Sequence, residues 1–128
     1  MMKYSALQSL LIIIIALGST RSYTQNIFEY EKVINGIENY DSEEIEITND
    51  SEGIVLYGTL IKPKTGFDNI VIIVPGSGKD TRHSHYVLAE KLLSAGVAVL
   101  RFDERGTGTS QGEYSELAED LASDLKLL

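Results

Sequence analysis

The sequence predicts an α/β fold with an incomplete sheet: an antiparallel hairpin, then a βαβ unit, a Gly-rich loop and a final helix. Three observations carry this. Residues 44–48 (EIEIT) and 54–61 (IVLYGTLI) have the composition and period of half-buried strands, with turn chemistry at residues 49–53 between them. Residues 70–74 (IVIIV) and 97–102 (VAVLRF) are short apolar runs on either side of a helical pattern, as in strands buried on both faces of a parallel sheet. After the second of these runs the sequence holds one more amphipathic helix and no further strand. Two helices cannot cover both faces of such a sheet, so residues 42–128 are expected to be the front part of a larger domain.

Each element has its own signal. Residues 1–24 read as a secretory signal peptide. Lys3 gives a short positive start, residues 10–17 are an unbroken apolar run, and small residues near Thr24 offer a cleavage site. The run is shorter than the roughly 20 residues that span a bilayer, so no stable membrane span is expected and the destination is the periplasm or the medium. Residues 25–41 form a polar, acidic, Tyr-rich lead-in, expected to be exposed, with a weak helical pattern through Ile27, Tyr30, Ile34 and Ile37. The hairpin follows. Residues 63–68 are a connecting loop, and residues 75–78 (PGSG) break the third strand sharply. The spacing predicts a helix over 84–95 with Val87, Leu88, Leu92 and Ala95 on its apolar face and Gly96 as its stop. Strand, helix and strand within about 33 residues imply parallel pairing and a right-handed crossover. Ser115 is placed to cap the last helix, whose Leu117, Leu121, Leu125 and Leu128 form an apolar stripe.

Composition narrows the function classes. The chain of 128 residues is 43% hydrophobic and 23% charged, close to globular averages, which excludes collagen-like and low-complexity classes. The signal segment holds Lys3 and Arg21 and no acid, so the remaining 104 residues carry 9 basic against 19 acidic side chains. Such a surface repels phosphate backbones, and no nucleic-acid partner is expected. The absence of Cys excludes disulfides, thiolate metal sites and a cysteine nucleophile.

Several Gly-rich patterns compete for a catalytic meaning. A phosphate loop would need Gly-Lys followed by Ser or Thr; here Gly78-Lys79 is followed by Asp80, and the position of the first glycine holds Ile73. Residues 108–112 (GTSQG) spell G-x-S-x-G. A nucleophile elbow, however, lies directly between strand and helix and precedes its acid and His, whereas His83 and His85 both come before Ser110. A dinucleotide fingerprint starting at Gly106 fails because Gln111 stands where its third glycine belongs. His83 and His85 are two apart and share no helical face, so they fit capping or solvent-facing roles better than metal ligation. No cofactor and no metal is therefore expected. Asp103 and Arg105 are candidates for an ion pair that shapes the loop. A turn such as residues 75–78, at the end of a buried strand, can present backbone N–H groups to a reacting carbonyl, though a plain tight turn accounts for it equally well.

Taken in order, GIVLYGTLIKP, IVIIVPGSGKDTRHSH and AEKLLSAGVAVLRFDERGTGTSQGEYSELAEDLASDL resemble the N-terminal part of an α/β-hydrolase, from about residue 42 to residue 128. The nearest likeness is to the secreted bacterial serine aminopeptidase-like and dienelactone-hydrolase-like branch. The D-x-R-G-x-G-x-S pattern from Asp103 to Ser110 is its most specific part, and Pro75-Gly76 stands where the family usually has His-Gly. The resemblance implies that the Ser77 N–H is an oxyanion-hole donor, shaped by Gly76 and Gly78. It makes Asp103, Arg105, Gly106, Gly108 and Ser110 a structural loop beside the active site rather than members of the triad. It also implies serine-dependent hydrolysis of an ester, thioester or peptide bond in a small-molecule or peptide substrate, with the serine elbow, acid and His further along the chain. A serine needs a general base to attack, so this chain by itself is expected to be a truncated, inactive hydrolase. The alternatives are a secreted binding module without enzymatic activity, or one half of a split hydrolase completed by another chain.

Overall fold

The computed structural model describes residues 31–76 and 78–126. The expected signal peptide and the first part of the lead-in lie outside the described residues. Among the described residues, no helix is long and apolar enough to cross a membrane.

The hairpin consists of β1 (Tyr40–Asn49) and β2 (Ile54–Pro63), paired antiparallel from Tyr40↔Pro63 to Asn49↔Ile54. β1 is longer than its alternating pattern because residues 41–44 are exposed polar side chains without the apolar period. The backbone ladder carries them, assisted by the Lys62–Glu43 ion pair at 2.8 Å and a Thr59 hydroxyl donating to Glu44 at 2.6 Å. Asn49 closes the turn by accepting from the Glu52 and Gly53 amides, and Gly53 takes a φ of 66° that other residues avoid.

β3 (Ile70–Ile73), α1 (Tyr86–Ser94) and β4 (Ala98–Phe102) form the expected βαβ unit, with β3 and β4 parallel from Ile70↔Ala98 to Ile73↔Arg101. β4 also pairs antiparallel with β2, giving the order β1-β2-β4-β3. Gly58 is needed at that seam, because a Cβ there would sit 2.7 Å from the Arg101 carbonyl oxygen. β3 is therefore an edge strand. It was expected to be buried on both faces, yet only Ile73 is buried, and Ile70, Ile72 and Val74 are exposed. No described strand pairs with its outer edge.

Two apolar clusters flank the sheet. One joins Ile34, Ile61, Ile73 and Val99 to Ala89 and Leu93 of α1; the other joins Ile47, Leu56 and Phe102 to Leu125 of α2 (Ala118–Leu125). The buried face of α1 differs from the expected one: Val87 and Leu88 are about half exposed, whereas Ala89 and Leu93 are covered. Of the expected face, Leu92 packs against the cluster and Ala95 is exposed, while the fully covered side chains are Ala89 and, one turn further on, Leu93. In α2, Leu117 and Leu121 are exposed and only Leu125 packs inward; Leu128 lies outside the described residues. The helix starts after Leu117 without a side-chain cap, and Ser115 accepts the Leu117 N–H at 3.2 Å instead of capping the first turn. Its buried polar residue, Asp124, turns inward to meet Arg105.

The lead-in departs most from expectation. Ile34 and Glu31 are each 3% exposed. Ile34 joins the α1 cluster, and the Glu31 carboxylate accepts the Thr81 N–H and hydroxyl at 2.6 and 2.7 Å. A single 3-10 turn (Ile37–Asn39) then leads into β1.

Candidate functional site

Two loops leave the same end of the parallel pair and meet: residues 74–85 after β3 and residues 103–117 after β4. The second loop begins with Asp103, whose side chain is 3% exposed. Its Oδ1 accepts the Arg82 N–H at 2.8 Å, and its Oδ2 accepts Arg82 Nη2 at 2.9 Å and Nε at 3.2 Å, together with the Thr109 N–H and hydroxyl at 3.0 Å. Burial opposes the charge, but these donors outweigh it and hold the Asp103 carboxyl below the ordinary carboxylate value. Arg82 in turn reaches Glu44 and Thr59, each at 2.7 Å, so one guanidinium ties the β3-exit loop to β1, β2 and the β4-exit loop. Gly108 is required here: a Cβ would overlap the Asp103 carboxylate, and φ is 49°. Gly106 answers a second close approach, its α-carbon facing the Tyr114 backbone amide at φ 69°.

The expected Asp103–Arg105 ion pair does not form. The chain turns at Arg105–Gly106, and Arg105 points to α2, donating bidentately to Asp124 at 2.7 and 2.8 Å and to Glu52 at 2.7 Å. Each charge has its own buried partner, so the loop is clamped from both sides of the sheet.

Ser110 continues the sheet where β4 has ended. The Tyr57 N–H, which faces no strand residue there, donates to Ser110 Oγ at 2.9 Å, and the Ser110 hydroxyl donates to the Asp103 carbonyl at 2.7 Å. The Asp103 and Gln111 amides complete the pattern by donating to the carbonyls of Tyr57 and Val55, each at 2.9 Å. The hydroxyl proton and an oxygen lone pair of Ser110 are thus committed to backbone.

The β3-exit loop carries the Pro75–Gly78 turn. Ser77, the residue whose amide the sequence singled out, lies outside the described residues. Gly76 donates its N–H to Asp80 at 3.3 Å, and Gly78 has a φ of 110°. His85 occupies the N-cap position of α1 with a φ of 52°, and its imidazole stands beside Gly76, with Nε2 3.8 Å from where a Gly76 Cβ would be. His83 is half-buried; desolvation, followed by the charge of Arg101, holds its pKa below the usual imidazole value.

Between the loops lies an open cleft of about 350 Å³, lined by Pro75, Gly76, Glu104, Tyr114, Glu116 and Leu121. Glu104 accepts the Asp80 N–H at 3.4 Å. Burial, with the nearby charges of Asp80 and Asp124, pushes its carboxyl up to about 7. Sequence reasoning missed Arg82, Asp80 and Glu104, because their roles come from the meeting of two loops more than twenty residues apart in the chain. Among the described residues, no cluster of His and carboxylates is arranged to hold a metal.

No family model and no curated protein sequence matches the chain. Solved structures do. The Pyrococcus furiosus esterase Pf2001 is similar at 28% identity over 75% of this chain and 39% of the esterase, with a TM-score of 0.59; a second crystal form gives 29% identity and 0.61. The α/β hydrolase GrgF from Penicillium sp. sh18 is similar at 26% identity over 67% of this chain and 30% of its own, with a TM-score of 0.56. The chain is related to the α/β-hydrolase superfamily. A Pseudomonas aeruginosa protein, PA2218, shares the fold at 22% identity and a TM-score of 0.53. The chain spans about two fifths of the length of the esterase it resembles. Its four-stranded open sheet thus corresponds to part of an α/β-hydrolase fold, as expected from the sequence.

Proposed function

We propose that this chain provides the N-terminal framework of a secreted ester hydrolase: the clamped β4-exit loop, the β3-exit turn that faces the substrate carbonyl, and one wall of the substrate cleft. The likeness to an esterase, together with the cleft bordered by Pro75 and Gly76, carries this reading. In it, the Ser77 amide donates to the developing oxyanion, and loss of one such donor lowers turnover by about 10²–10³. The nucleophile and its base come from polypeptide other than these 128 residues, either continuous with them or a separate complementing chain. Two observations support this. The hydroxyl of Ser110 is occupied by backbone, and β3 has no described strand on its outer edge while Ile70 and Ile72, on one face of it, and Val74 just beyond lie exposed. The finer branch, serine aminopeptidase-like or dienelactone-hydrolase-like, and export by residues 1–24 belong to the same proposal.

The test is labelling with a serine-reactive fluorophosphonate in the source cells, followed by capture of polypeptide carrying residues 31–126. The expected result is an adduct on a serine outside residues 1–128, in the same polypeptide or one bound to it. Absence of any adduct while the captured protein is folded, or an adduct on Ser110, would overturn the proposal.

A further inference from the structure

The lead-in is pinned to α1 through Asn35. Its backbone N–H and its side-chain Nδ2 both donate to Oε1 of Glu90, at 2.9 and 3.0 Å. On one side of it, Ile34 is buried in the α1 cluster; on the other, Gly36 turns the chain toward β1 at a φ of 69°. Asn35-Gly36 is the only Asn-Gly pair in the sequence.

That pair carries chemistry of its own. The carbonyl carbon of an asparagine side chain is open to attack by the backbone nitrogen of the next residue when nothing shields that nitrogen. Gly36 has no Cβ to obstruct the approach, and its N–H meets no acceptor among the described residues. Asn35 is exposed, so solvent reaches it. The other asparagines are worse placed. Asn26 and Asn69 precede a β-branched isoleucine and Asn39 precedes Tyr40, while Asn49 is 1% exposed and donates to Ser123 and Asp124.

We infer that Asn35 is a site of spontaneous deamidation and that the change releases the lead-in from α1. The Gly36 nitrogen bonds to Cγ of Asn35, the Cγ–Nδ2 bond breaks, and the Gly36 proton passes through solvent to the departing nitrogen, which leaves as ammonia. Water then opens the resulting succinimide at either carbonyl, giving an aspartyl or an isoaspartyl linkage. One water is consumed and one ammonia released, with no change of oxidation state. The product replaces a donor by an acceptor: where Nδ2 met Glu90 Oε1 at 3.0 Å, two carboxylates face each other and repel. The isoaspartyl form also lengthens the main chain by one carbon just ahead of the 3-10 turn. Ile34 lies next to this contact in the chain, so its loss frees the segment that carries Lys32.

The folded full chain is incubated at about pH 8 and 37 °C and mapped by peptide mass spectrometry. Asn35 is expected to gain one dalton at least about tenfold faster than Asn39, Asn49 or Asn69. An equal or slower gain at Asn35 overturns the inference. Release is read by trypsin cleavage after Lys32, with the cut after Lys126 as the internal reference; both lysines are exposed. Asn35→Asp, which carries the product's charge, should be cut after Lys32 at least about fivefold faster than wild type, because cleavage follows the population of the opened form. Adding Glu90→Gln, whose amide can donate to the new carboxylate, should bring the rate back to within about twofold of wild type. A rate unchanged in Asn35→Asp, or not restored by Glu90→Gln, overturns the release.

Discussion

Replacing Asp103 by Asn tests the clamp that holds the two loops together. The change keeps shape and removes one charge. The Asn oxygen is best placed at the Oδ2 position, where Arg82 Nε and Nη2 and the Thr109 N–H all donate; the amide nitrogen then faces the Arg82 N–H, which now has no acceptor. Arg82 and Asp103 side chains are 4% and 3% exposed, so solvent cannot repair the loss. Breaking a buried ion pair costs about 3–5 kcal/mol. Glu44 still reaches Arg82 Nη1, but its side chain is 69% exposed and compensates only in part, which places the expected loss near 3 kcal/mol. Native domains have about 5–15 kcal/mol to lose. With a urea m-value of about 2 kcal/mol/M, the midpoint should fall by about 1.5 M. The sign of the pH dependence follows from the lowered folded-state pKa. In the wild type, the stability from ionised Asp103 is complete above the unfolded value of 3.8 and is lost as pH falls through the lower folded value. In Asp103→Asn that acid-dependent part disappears. A loss below about 1 kcal/mol at neutral pH, or an unchanged acid profile, would refute the reasoning.

Other expectations follow from the same contacts. Gly108→Ala forces a Cβ onto the Asp103 carboxylate at a φ of 49°, and thermal or urea unfolding should show a loss of about 2–4 kcal/mol. Glu104→Gln removes a carboxyl whose folded pKa of about 7 exceeds its ordinary 4.5. The wild type pays a growing penalty as pH rises from 4.5 to about 7, so the variant should match it near pH 4.5 and exceed it at pH 8. Because Glu104 is partly open to solvent, the gain should be about 1–2 kcal/mol rather than the full value of the shift. Ser110→Ala leaves the Tyr57 N–H without its acceptor and should cost about 1–2 kcal/mol by urea titration.

The hairpin and the parallel pair were legible where the apolar period was strong, whereas the antiparallel β2–β4 seam that sets the strand order was not. The runs at residues 70–74 and 97–102 and the helical pattern between them define the parallel pair, and the turn residues 49–53 define the hairpin. Helix faces were legible in part: Leu92 and Leu125 of the expected stripes pack against the clusters, whereas the buried Ala89 lies beside its stripe and the buried Asp124 is too polar to be read as inward-facing. Glu31 and Ile34 were hidden for other reasons: the helical pattern through Ile34 is weak and sits in an acidic segment, and the Thr81 contact of Glu31 spans fifty positions. At the site, the D-x-R-G-x-G-x-S spacing marked the loop residues, and the close approaches at Gly106 and Gly108 explain why glycine stands there. It could not tell which charges pair. Proximity in sequence suggested Asp103 with Arg105, whereas the fold delivers Arg82 to one and Asp124 to the other.

The central claim is that Ser110 holds the backbone together and attacks nothing. Intact-mass analysis of the folded 128-residue chain after exposure to a fluorophosphonate tests it most directly. An unmodified mass is the predicted result. A stoichiometric adduct mapped to Ser110 would contradict the claim.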